Sequence, residues 1–76
     1  MTMQATVRRV ERNNLYVFDH AMSQIVVVHT PDAYSFRVGD FICIQYSGAI
    51  TRSIPPQITA TNISLIPRCG LYRNKC

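Results

Sequence analysis

The segment QITATNISLI, residues 57–66, decides what kind of sheet this chain builds. Ile58 and Ala60 share one parity along it, and Ile63 and Leu65 take the other. Side chains on a strand alternate between faces, so an apolar pattern that slips by one residue implies a β-bulge, which bends the strand. QATVRRVER, residues 4–12, slips in the same way, with Ala5 and Val7 on one parity and Val10 on the other. A first and a last strand that both bend suit a small closed barrel better than a flat sheet.

Three shorter runs lie between them: LYVFDH (15–20), QIVVVHT (24–30) and DFICIQY (40–46). They are β-branched and aromatic, and no stretch carries a helical period. Asn13-Asn14 is expected to turn the first hairpin, since Asn tolerates positive φ, and Ala21-Met22-Ser23 to turn the second. Pro31 ends the third strand because it cannot donate to a ladder. Val38-Gly39-Asp40 turns into the fourth, with the Asp40 carboxylate capping that turn. Residues 31–39 leave room for one helical turn, where many OB barrels place a full helix. The expected architecture is all-β: a five-stranded OB-like barrel over residues 1–67, then a basic, mobile C-terminal tail over 68–76.

Composition narrows the functional classes. An apolar share of 47% over 76 residues supports one small domain. No run approaches the ~20 apolar residues a membrane helix needs. The opening MTMQATV lacks the pattern of a secretory signal, and a cytoplasmic location is expected. Cys43, Cys69 and Cys76 have no framework spacing and read as free thiols. Of the net charge of +4, Arg68, Arg73 and Lys75 supply three units, which leaves the body near neutral. That balance is weak support for a nucleic-acid surface.

VVVHT at 26–30, followed by FRVGDFICIQYSGAITRSIPPQITATNI at 36–63, resembles a group of small bacterial proteins of unknown function, chiefly from Gram-positive species. Their shared features are a Val-Gly-Asp lead-in to a strand, a Tyr-x-Gly and a Ser-x-Pro-Pro-Gln-Ile segment. The resemblance spans residues 3–66 and implies a minimal OB-like barrel, with no activity or catalytic residues to carry over. In strand order alone, TVRRV, LYVF, VVVHT and VGDFICI are also similar to S1-type RNA-binding barrels, without their density of basic and aromatic residues.

Candidate chemistry starts with His20, His29 and Cys43, which are metal-ligand types. With His20 beside the second turn and His29 paired near Leu15 or Tyr16, the two rings lie ~15 Å apart at ~3.3 Å per residue. One ion cannot bridge that distance, so neither metal nor cofactor is expected. Ser47, Thr51 and Ser53 form no nucleophile elbow, and Glu11, Asp19, Asp32 and Asp40 are scattered, so no enzymatic activity is expected. In the connector GAITRSIPPQI, residues 48–58, Gly48 lets the chain leave the fourth strand. Pro55 and Pro56 keep it extended and Ile58 re-enters the core, while Arg52 and Ser53 at the tip form a candidate binding loop.

With the turn at Asn13-Asn14, Glu11 faces Tyr16, Arg9 faces Phe18 and Val10 faces Val17. Val10, Leu15 and Val17 then point inward, and Arg9, Tyr16, Phe18 and His20 share the outer face. That face is a candidate stacking platform for single-stranded nucleic acid, or Arg9 simply braces the sheet as a cation–π pair. In the fourth strand Ile42, Ile44 and Tyr46 point inward, leaving Phe41 and Cys43 outward. With Tyr16 and Phe18 these make an apolar patch suited to a protein partner or to self-association, which the composition favours over nucleic acid. Leu71 and Tyr72 of the tail are suitable cover for it.

Overall fold

The computed structural model describes residues 1–48, 50–51 and 53–66. The expected mobile tail, with Leu71, Tyr72, Cys69 and Cys76, and the loop residue Arg52 lie outside the described residues. Five strands form: β1 (Thr2–Val10), β2 (Asn14–Asp19), β3 (Gln24–His29), β4 (Phe41–Tyr46) and β5 (Gln57–Leu65). They close into a barrel in the order β1-β2-β3-β5-β4. All neighbours are antiparallel except β3 and β5. The chain is thus all-β and five-stranded, as its alternation predicts.

Both inferred bulges are present. In β1 the register shifts between Val7 and Arg9, leaving Arg8 as the extra residue. In β5 Gln45 pairs with Asn62 but Tyr46 pairs with Ala60, so Thr61 is extra. The bulges let Val7 and Val10, and likewise Ala60 and Ile63, face the same core despite their opposite parities. That core centres on Leu15, Val17, Val28, Ile42, Ile44 and Ile58, each almost fully buried. Leu65 departs from the pattern: it lies 59% exposed, and Ile66 is buried instead. Leu65 pairs with Ile42 at the end of its ladder, where alternation no longer guarantees cover.

The turns differ from expectation in register. Val10 pairs with Leu15, and Glu11 N–H donates to Asn14 O, so Arg12-Asn13 forms the two-residue turn instead of Asn13-Asn14. Arg9 therefore faces Tyr16, Thr6 faces Phe18 and Val7 faces Val17. The second loop is one residue longer than expected, because Asp19 already pairs with Gln24. Ser23 there is the non-glycine residue with positive φ (54°) among those described. Asp40 does cap the Val-Gly-Asp turn, its Oδ2 accepting from Arg37 N–H at 2.9 Å. Gly39 takes φ 97° and donates to Val7 O, which stitches this turn to the β1 bulge.

The two ends of the barrel are built differently. After β3, a single 3-10 turn at Ala33–Ser35 buries Ala33 and brings Phe36 against the core, plugging one end. The other end, where β1 starts and β2 finishes, is bordered by Met3, Asp19 and Tyr46. Along the parallel seam Val27, Val28 and His29 pair with Gln57, Ile58 and Thr59. His29 pairs opposite Asn14, the residue next to Leu15, so the expected position holds to within one residue. Its Nδ1 lies 2.7 Å from Asn14 Oδ1 and its Nε2 2.8 Å from Gln57 Oε1, so one ring ties β2, β3 and β5 together.

Candidate binding surface

The outer face of β1, β2 and the start of β4 gathers most of the residues singled out from sequence. Thr6 pairs with Phe18 on one side and Phe41 on the other, which sets two phenyl rings, on the strands either side of β1, about a central hydroxyl. The His20 imidazole lies between those rings. It meets Phe18 at 5.3 Å between centroids and Phe41 at 5.6 Å, both edge-to-face. Its Nε2 is 2.7 Å from Thr6 Oγ1, which fixes the ring's position. Edge-to-face contacts align the positive rim of one ring with the negative face of another and rigidify the row. Phe18 and Phe41 are each half-buried, while His20 is exposed.

Two guanidinium groups flank this row. Arg8 lies 5.6 Å from the Phe18 centroid and Arg9 lies 5.6 Å from the Tyr16 centroid. Arg9 also pairs with Glu11 at 3.1 Å, which offsets part of its charge. The structure therefore separates two residues expected to stack on each other: Arg9 sits over Tyr16, and Arg8 takes the place over Phe18. Arg8 was not singled out from sequence. The signal for it was Arg8-Arg9 between two core valines, since neither arginine can be buried and a bulge puts both outside.

The patch continues onto β3, where Tyr16 pairs with Val27 and Phe18 with Ile25. Cys43 lies on this outer side of β4, opposite Gln4. Cys43 is not a free thiol but is disulfide-bonded.

The connector loop places Ser53 in an internal network. Its Oγ donates to Pro55 O at 2.9 Å and lies 2.7 Å from Thr51 Oγ1. Thr51 Oγ1 in turn accepts from Gln57 N–H, and Thr51 N–H donates to Gln57 O. Ser53 is thus occupied in holding the loop's shape. Gly48 takes φ 102° and Ile58 is buried, in keeping with a barrel-closing connector. Ile54 at its tip is 97% exposed.

His20 and His29 bind different partners, and no group of three or more His, Cys, Asp or Glu suited to a metal occurs among the described residues. Nor is any helix among them long and apolar enough to cross a membrane. No protein-family model, curated protein or solved structure matches the chain.

Proposed function

We propose that this barrel is a small non-enzymatic binding module that works through the outer face of β1, β2 and β4, with a protein surface as its partner. The resemblance to small bacterial OB-like barrels is retained as part of the proposal. The order β1-β2-β3-β5-β4 with a parallel β3–β5 seam supports it, and the face that OB barrels use for ligands, on strands 2 and 3, shares β2 with the one proposed here. The observation that carries the reading is the fixed Phe18–His20–Phe41 row beside Ile25 and Tyr16. Half-buried aromatics with arginine neighbours are the residue types that dominate binding energy at protein interfaces.

Single-stranded nucleic acid is the second reading, favoured by Arg8 over Phe18 and Arg9 over Tyr16. Charge decides against it. Two arginines neutralising two phosphates give a log-affinity slope against log-salt of only about −1.4, far below a typical binder. Arg9 is in addition already paired with Glu11.

The first partner to test is a second copy. Sedimentation equilibrium at rising concentration is expected to show dimers that Phe41→Ala weakens; a monomer throughout removes the self-association version. Fluorescence anisotropy with short DNA and RNA at low salt tests the second reading, and binding lost in Arg8→Ala would reverse the preference. As to compartment, the proposed cytoplasmic location and the Cys43 disulfide pull in opposite directions, because cytosolic thiols are generally kept reduced.

A further inference from the structure

The open end of the barrel carries a feature that the outer face does not use. Asp19 ends β2 on the inward parity of Leu15 and Val17, and is only 4% exposed. Its Oδ1 accepts from Ala21 N–H at 2.9 Å. Its other oxygen has no hydrogen-bond partner among the described residues, yet it is not sealed off, because no buried polar side-chain atom among them lacks a partner. Asp19 borders a hollow of about 540 Å³ at this end of the barrel. Met3, Gln4, His20, Met22 and Tyr46 border the same hollow. Among the described residues Asp19 makes no ion pair, and the Met1 ammonium at this end donates to Tyr46 O at 2.9 Å instead.

A carboxylate this buried gains from a cation that can reach it through a neighbouring hollow. The mouths of small barrels are common places for ligands. The lining selects the kind of cation. One carboxylate, with two thioethers, a phenol, the Thr2 hydroxyl, the Gln4 amide and a His20 ring whose Nε2 is held by Thr6, is a poor donor set for a hard dication, which takes six or more oxygens, several of them charged. The same groups suit an ammonium head on an apolar stem: Asp19 takes the head, and Met3 and Met22 pack the alkyl chain.

We infer that the barrel mouth is a binding site for a primary alkylammonium group, with Asp19 as its anchor. This site meets the outer face at His20, but its anchor Asp19 points inward, and it stands whether or not the proposed partner there is right.

The test is a titration of 15N-labelled full-length protein with n-butylammonium chloride, followed by amide shifts. Saturable shifts at Asp19, Ala21 and Tyr46 are expected. Asp19→Asn keeps an oxygen for the Ala21 N–H and removes the charge, and it is expected to weaken binding about ten- to hundredfold, the range of a charge-assisted hydrogen bond. Neutral n-butanol added to the unaltered protein is expected to leave those amides in place, which keeps the test independent of how the variant folds. Equal shifts from butanol or from potassium chloride, shifts that do not saturate, or unchanged affinity in Asp19→Asn would each overturn the inference.

Discussion

Replacing His29 with alanine tests how the barrel stays closed. The seam between β3 and β5 is short and parallel, and the His29 ring spans it by contacting Asn14 on one side and Gln57 on the other. Each hydrogen bond contributes a net of about 0.5–1.5 kcal/mol, so losing both costs about 1–3 kcal/mol. Asn14 and Gln57 are half-buried and regain some water, which places the expected loss in the lower half of that range. For a domain of 76 residues this corresponds to a drop in melting temperature on the order of 5–12 °C. Urea denaturation followed by circular dichroism gives the free energy directly. A double-mutant cycle with Gln57→Ala separates the cross-seam bond from the rest, since residues in contact are non-additive by about 0.5 kcal/mol or more. If His29→Ala costs less than about 0.5 kcal/mol, or the cycle is additive, the ring does not latch the seam.

Three further outcomes follow from the packing, and a fourth from the disulfide. Ile44→Ala empties a fully buried position and should cost about 2–5 kcal/mol in chemical denaturation. Leu65→Ala, at the exposed end of β5, should stay within about 0.5 kcal/mol. Gly39→Ala meets no atom near its new Cβ, so any loss is backbone strain at φ 97°, expected at about 1–2 kcal/mol by the same assay. Cys43 should resist alkylation in the folded, non-reduced protein and react after reduction, as read by peptide mass spectrometry; labelling without reductant would remove the disulfide.

The sequence made the strand count and the bending legible because both rest on parity, which side-chain burial enforces strictly. Val7 and Val10 both had to reach the core, and only an extra residue between them allows it. Pairing across the first hairpin was less legible. Arg12, Asn13 and Asn14 all suit a turn, and shifting it by one residue leaves Leu15 and Val17 facing inward either way. The shift and the bulge together moved Arg9 from Phe18 to Tyr16 and brought Arg8 into its place. The His20 contacts with both phenyl rings depend on β1 lying between β2 and β4, a long-range pairing that no local pattern encodes. The anchoring position of Asp19 escaped notice for a related reason. In the sequence it is one of four scattered acids, and its inward parity matters only once the barrel has an end.

The place of β1 between two partners also bears on how quickly the chain reaches its native state. Ala5 and Thr6 are paired on both sides at once, with Phe18 and Asp19 close by in sequence and with Phe41 and Ile42 far away. The β1-β2-β3 meander can assemble from local hairpins, but joining it to β4 and β5 must close long loops before any contact rewards the loss of chain entropy. Such topologies fold in milliseconds to seconds rather than microseconds. The same dependence makes β1 the strand whose detachment opens the barrel into a four-stranded sheet, β2-β3-β5-β4. Its two outer strands, β2 and β4, would then present unpaired edges, and such edges recruit strands from other chains.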